Sequence, residues 1–131
     1  MIHIAICDDD IQLCNQLEDY IRKWRKEGRK LEAEVFNTGK EFEKALKERY
    51  FDLIFLDIKM PHVDGIEVAE EIRRRDDKVS IMFLTSYMQR AADGYGVAAE
   101  AFIQKPIQYN RLKKELDKWY IKHMQVEEPY I

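Results

Sequence analysis

The chain has 131 residues and a mass of 15.7 kDa, the size of one ordinary domain and enough to bury a core. With 46% hydrophobic and 36% charged residues, its composition is not that of a disordered, collagen-like or coiled-coil chain. Lys and Arg number 22 against 25 Asp and Glu, and the net charge of −3 excludes a global cationic field for coating nucleic acid or an anionic membrane.

Ile2 to Cys7 reads as a strand that stops at Asp8-Asp9-Asp10. The start, MIHIAICDDD, lacks the basic n-region of a signal peptide, and its apolar run soon ends at acids. Ile11 to Glu27 reads as a helix, because Leu13, Leu17, Tyr20 and Trp24 recur at three- and four-residue spacing. Asp10 suits its N-cap and Gly28 its stop. Leu31 to Phe36 is the second strand. Thr38 and Glu41 have capping-box spacing and open a helix over Gly39 to Glu48.

Asp52 to Asp57 contains Leu53-Ile54-Phe55-Leu56, an apolar run suited to a strand buried on both faces and far short of a membrane span. Pro61 breaks the chain after it. Asp64 and Glu67 again have capping-box spacing, ahead of Ile66, Ala69 and Ile72, and predict a third helix. Val79 to Leu84 is the fourth strand. Gln89 to Tyr95 is a weak helix, because Gly94 and Gly96 bracket its end; the two glycines are expected to make it easy to repack. Ala101 to Gln104 is the fifth strand, ending at Lys105-Pro106. The last helix runs from about Tyr109 to Gln125, with Leu112, Leu116, Trp119 and His123 on one stripe. The expected domain is 1–124, and 125–131 is a tail or the start of a linker. Strands alternating with helices predict an α/β fold, doubly wound around a parallel sheet of five strands with five helices.

Several residues fall outside this plan. Cys7 and Cys14 are too few for a disulfide scaffold and read as reduced, buried thiols of a cytoplasmic protein. His3, His62 and His123 form no zinc pattern. Arg73-Arg74-Arg75 reads as a solvated helix end favourable to the dipole, against a nucleic-acid patch. Trp24 and Trp119 read as core or interface anchors. Tyr95, between two glycines, is a candidate partner contact.

Ligands of such sheets bind beyond the C-terminal strand ends. There the chain places Asp8 and Asp9 after strand one, Asp57 at strand three, Thr85 after strand four and Lys105 after strand five. Taken singly, each has a bland reading. The acids are loop residues or caps, the Lys is solvated, and the Thr ends a strand. Together they occupy one edge. Three carboxylates at close range repel and have raised pKa values, which a divalent cation relieves; all-oxygen ligation suits Mg²⁺. Asp57, ending a buried strand, is the natural nucleophile toward phosphorus, giving an aspartyl phosphate. Lys105 and Thr85 are placed to hold the remaining oxygens.

The segments IAICDDD, DLIFLDIKMPHVDG, IMFLTSY and AFIQKPI resemble the four signature segments of bacterial response-regulator receiver domains, from Ile2 to about His123. The resemblance implies a flavodoxin-like fold with strand order 2-1-3-4-5. It implies that Asp57 accepts a phosphoryl group from a sensor histidine kinase. It also implies that Mg²⁺ is held by Asp9, Asp57 and the Lys59 carbonyl, with Asp8 assisting through water. Lys105 would pair with a phosphoryl oxygen and precede a cis proline. Thr85 and Phe102 would form the switch, and Lys59 and Tyr87 would tune phosphoryl lifetime.

TSY and GYGVAAEAFIQKPI resemble receivers that precede LytTR-type DNA-binding domains of the LytR/AlgR/AgrA group. That implies transcription as the output, with DNA reached only through an output domain outside these residues. A homodimer through the 89–124 face, no membrane and a cytoplasmic location complete the expectation. Such a domain catalyses its own phosphorylation and dephosphorylation but is not a turnover enzyme. A stand-alone docking adaptor is the main alternative. A haloacid-dehalogenase-type phosphatase would want an Asp where Lys59 stands, and a toprim-like nuclease would want a Glu on strand one.

Overall fold

The computed structural model describes residues 1–26 and 28–124. β1 (Ile2–Cys7) is followed by α1 (Ile11–Arg25), β2 (Leu31–Phe36), α2 (Gly39–Glu48) and β3 (Leu53–Asp57). A small antiparallel ribbon, Lys59–Met60 against Val63–Asp64, then leads into α3 (Gly65–Arg75). β4 (Ser80–Thr85), the one-turn helix α4 (Ala91–Gly94), β5 (Ala101–Gln104) and α5 (Tyr109–Trp119) complete the order. The five sheet strands pair in parallel in the order β2-β1-β3-β4-β5, as expected of a doubly wound α/β fold.

The two-residue period of the strands divides the core. Ile2, Ile4, Ile6, Leu53, Phe55, Met82 and Leu84 face Leu13, Leu17, Ile21 and Trp24 of α1 and Leu112, Leu116 and Trp119 of α5. Ala5, Cys7, Ile54, Leu56, Ile81 and Phe83 face Phe42 and Ala45 of α2 and Ile66, Ala69 and Ile72 of α3. Leu53 to Leu56 is therefore apolar at every position because both faces of β3 are covered. The caps form where expected. Asp10 Oδ1 accepts from the Leu13 N–H at 3.1 Å, Thr38 Oγ1 from Glu41 at 3.1 Å, and Asp64 Oδ1 from Ile66 at 2.9 Å.

Some expectations shift. β3 and β4 each begin one residue later than expected, and β4 runs on through Thr85. On α1 the chain buries Ile21 and Cys14 and leaves Tyr20 half-buried. The last helix ends at Trp119 in a π-helical turn, Tyr120–Met124, which takes His123 off the buried stripe. Glu27 and Gln125, the expected ends of the first and last helices, and the 125–131 tail lie outside the described residues. Both tryptophans are core anchors, with Nε1 donating to Asp117 Oδ1 at 2.9 Å (Trp24) and to Ser80 Oγ at 2.7 Å (Trp119). Cys7 and Cys14 are buried free thiols; burial beside Asp8 pushes both pKa values up, that of Cys14 to about 12. No described helix is long and apolar enough to cross a membrane.

Arg73 corrects the solvated reading of its triplet. Arg74 and Arg75 are exposed, but Arg73 donates to the carbonyls of Val97 (2.7 Å), Val79 (2.6 Å), Asp76 (3.3 Å) and Ala98 (3.3 Å). It clamps the end of the α4 segment, where Ala98 sits at φ 53°, to α3 and to the entry of β4.

The weak helix is realised as α4 flanked by 3₁₀ turns at Met88–Arg90 and Tyr95–Val97. Gly94 does not act there as a flexible joint. Its φ of −75° is ordinary helix, and a Cβ there would lie 2.3 Å from Phe102 Cζ. The glycine therefore provides room for a ring, not backbone freedom. Gly94→Ala is expected to cost about 1–3 kcal/mol by overpacking, read as a lower urea midpoint. Gly96→Ala, whose Cβ would meet nothing within 4 Å, is expected to leave the midpoint within error or raise it. Equal losses in the two variants would refute this account.

Candidate functional site

β1 extends one backbone bond beyond its end, with the Asp8 N–H donating to the Phe36 carbonyl at 3.1 Å. This fixes Asp8, which is wholly buried, at the edge of the sheet. The Asp8 carbonyl accepts from Asn37 Nδ2 at 3.1 Å and from Cys14 Sγ at 3.4 Å. Oδ1 accepts from the Asp10 N–H at 2.9 Å. Oδ2 is left to the Lys105 ammonium, 2.8 Å away.

Asp57 closes β3 and is also buried. Its Oδ1 accepts from the Lys59 N–H at 3.3 Å, and its Oδ2 lies 3.3 Å from Lys105 Nζ. Gly65 makes this packing possible, because a Cβ there would fall 2.0 Å from the Asp57 carbonyl oxygen. The Gly65 N–H donates to Ile58 O at 2.6 Å and seals the ribbon beside the site. Helical spacing marks Asp64 as the cap but not the glycine that follows it; a Gly directly after an N-cap is the one local signal of this close approach.

Asp9 is exposed, yet one carboxylate oxygen each from Asp8, Asp9 and Asp57 lies within 4.8 Å of the others. Burial, then the nearby Asp8 charge, raises the Asp57 pKa to about 6, with Lys105 pulling the other way. Burial pulls Lys105 down, but the Asp8 and Asp57 carboxylates outweigh it and hold its pKa above the usual value. The donor set fits a hard divalent cation. It is all oxygen, two of its three carboxylates are buried, and its excess negative charge is only partly met by one ammonium.

The remaining residues lie around this core. Thr85 ends β4 one position beyond the Asp57–Leu84 pairing, and its Oγ1 accepts from the Tyr87 N–H at 2.7 Å. The hydroxyl thus lies at the same edge of the sheet as Asp57 but is engaged with its own loop. Its carbonyl accepts from the Lys105 N–H at 2.9 Å, and the Lys105-Pro106 bond is cis, as expected. Lys59 Nζ stands 5.0 Å from the Tyr87 ring centroid. Phe102 stacks on Phe83 at 5.5 Å and meets Tyr95 edge-on at 6.2 Å, under Gly94. Tyr95 itself is 76% exposed.

A family model described as "Response regulator receiver domain" matches residues 4–117. The transcriptional regulatory protein ZraR of Escherichia coli O157:H7 is 28% identical over 119 residues, covering 89% of this chain and 26% of that protein. The chain thus spans about a quarter of the length of the ZraR proteins it matches. The response regulator TrrA of Thermotoga maritima, solved in complex with Mg²⁺-BeF, is 30% identical with a TM-score of 0.78, covering 91% of this chain and 99% of that one. The response regulatory domain of mrkE from Klebsiella pneumoniae is 27% identical with a TM-score of 0.83, covering 92% and 97%. These comparisons give no support to the finer likeness to LytTR-type regulators.

Proposed function

The chain belongs to the response regulator receiver domain family, and on that basis we propose that Asp57 is its phosphoacceptor. The observation that carries this reading is the meeting of Asp8, Asp9 and Asp57 within 4.8 Å, beside Lys105. Receivers are signalling domains, not turnover enzymes.

In the proposed transfer, an Asp57 oxygen bonds to the phosphorus of a kinase phosphohistidine as the P–N bond breaks, and the imidazole leaves with a proton. Asp9, Asp57 and the Lys59 carbonyl would hold Mg²⁺ directly, with Asp8 through water, and the bound cation would neutralise phosphoryl charge. The Lys59 N–H steadies Asp57 through Oδ1. Lys105 bridges the two buried acids in the resting site and is placed to pair with a phosphoryl oxygen.

Thr85 Oγ1 accepts from the Tyr87 N–H here, and its O–H is proposed to turn to a phosphoryl oxygen. Displacement of Oγ1 toward that oxygen would break its bond from the Tyr87 N–H and free the start of the Met88–Arg90 turn. Phe102, whose ring underlies Gly94 and Tyr95, then shifts with the α4 segment. Lys59 and Tyr87, whose side chains meet with Nζ 5.0 Å from the ring centroid, are the residues proposed to tune phosphoryl lifetime. The face so altered, 89–124, is the proposed homodimer or partner surface, and it exposes Tyr95 and Ile121.

The relatives' names favour transcription as the output, through a DNA-binding domain outside these residues. A LytTR-type domain remains the finer form of that proposal, resting on the sequence likeness alone. The adaptor reading is separated from it by whether the native gene product continues past Ile131. Domain limits of 1–124 are proposed with the same reading.

The test is phosphorylation by acetyl phosphate with Mg²⁺, scored by intact mass. A gain of one phosphoryl group, removed by hydroxylamine as an acyl phosphate is, is expected. No gain refutes the proposal. With Mg²⁺-beryllofluoride, an unchanged Phe102 ring and an unchanged 89–95 backbone would refute the switch.

A further inference from the structure

At the edge of the sheet away from Asp57, the start of β5 is tied to the end of α5. Glu100 Oε1 meets His123 Nε2 at 2.7 Å, and Oε2 meets Lys122 Nζ at 3.3 Å. Ser80 Oγ, which accepts from Trp119 Nε1, lies 3.5 Å from Glu100 Oε1. The His123 ring packs 6.2 Å from that of Trp119. Burial opposes the charge on Glu100, but His123 and Lys122 together hold its carboxyl below the usual range. Two consecutive residues of the π-helical turn Tyr120–Met124 thus reach one carboxylate. Such turns are often found at functional positions.

Glu100 is also joined to the sheet, its N–H donating to Ile81 O at 2.7 Å. Glu100 immediately precedes β5, and Phe102 is the second residue of that strand. We propose that Glu100, Lys122 and His123 form a latch that couples movement of β5 to the last turn of α5, and so to the direction in which the chain continues after Met124. The coupling rests on the switch reading of Phe102; the latch rests on the contacts alone. A displacement of β5 around Phe102 pulls on the Glu100 carboxylate, and the π-helical turn either follows or lets go. Both change the orientation of whatever is attached beyond it.

Hydrogen exchange read by mass spectrometry on the 118–124 peptide decides the matter. Glu100→Gln, and separately Lys122→Ala/His123→Ala, are expected to speed exchange there about two- to fivefold, leaving β1 unchanged. Exchange unaltered in both variants overturns the latch. In the native chain, Mg²⁺ with beryllofluoride is expected to shift exchange in 118–124, a shift that both variants lose. If the mimic alters exchange around Asp57 and Phe102 but not in 118–124, the coupling is overturned while the receiver reading stands. If it alters nothing anywhere, the coupling falls together with that reading.

Discussion

Asp57→Asn is expected to gain no phosphoryl group under conditions that load the native chain, and to be more stable than the native chain at neutral pH. The first half follows from removing the oxygen proposed to attack phosphorus. The second follows from linkage. Asp57 is raised from 3.8 to about 6 in the folded state, so the fold binds this proton more tightly than the unfolded chain does. The stabilisation from the protonated form is fully present below about pH 4 and is lost as pH rises through about 6. Above that, a buried carboxylate faces Asp8 with one ammonium between them. Asparagine has the same shape and no charge. Each tenfold change in proton affinity is worth about 1.4 kcal/mol, and Lys105 compensates part of the repulsion, so the gain at pH 8 is on the order of 1–3 kcal/mol. It should vanish at pH 4. Urea midpoints at pH 4, 6 and 8 measure it. A variant less stable than the native chain at pH 8 would count against the resting electrostatics. It would also make a missing phosphoryl group ambiguous between lost chemistry and lost fold.

The sheet and its polar edge were readable for one reason: four of its five strands are largely apolar runs that stop abruptly at a polar or charged residue. IAIC stops at Asp8, LIFL at Asp57, IMFL at Thr85 and AFIQ at Lys105. In a parallel sheet those stops share an edge, and local pattern becomes a tertiary statement. What stayed hidden depends on contacts distant in sequence. Arg73 sits in a run of three arginines, and nothing local marks it as the one that turns inward to four carbonyls. Gly94 resembles any helix-weakening glycine until the Phe102 ring beneath it is seen. Gly65 faces the backbone of Asp57 in the same way. Asn37 supports the Asp8 carbonyl from the end of β2, across 29 residues. His123 fitted an apolar stripe at ideal helical spacing, and a π-helical turn moved it onto Glu100.

Lys105→Met is the second large effect expected, and its dependence on conditions is more telling than its size. The ammonium is 2.8 Å from a wholly buried Asp8 and 3.3 Å from Asp57. Removing one partner of a buried ion pair leaves the other uncompensated, at a cost of about 3–5 kcal/mol. Here three routes reduce that cost. Asp57 can take up a proton, because its pKa of about 6 rises further once the lysine is gone. A divalent cation can replace the lost charge among the three carboxylates. Asn at position 57 removes one of the opposed charges outright. The loss in urea-measured stability should therefore be greatest at pH 8 without Mg²⁺, and smaller at pH 5. Saturating Mg²⁺ should also shrink it, as should the Asp57→Asn background. The same variant should load phosphoryl groups from acetyl phosphate more slowly even where Mg²⁺ restores stability, because the cation replaces the charge but not the donor proposed to pair with a phosphoryl oxygen. A stability loss indifferent to pH, Mg²⁺ and Asp57→Asn would mean that Lys105 acts as packing. Restored stability with undiminished loading would remove it from the transfer step.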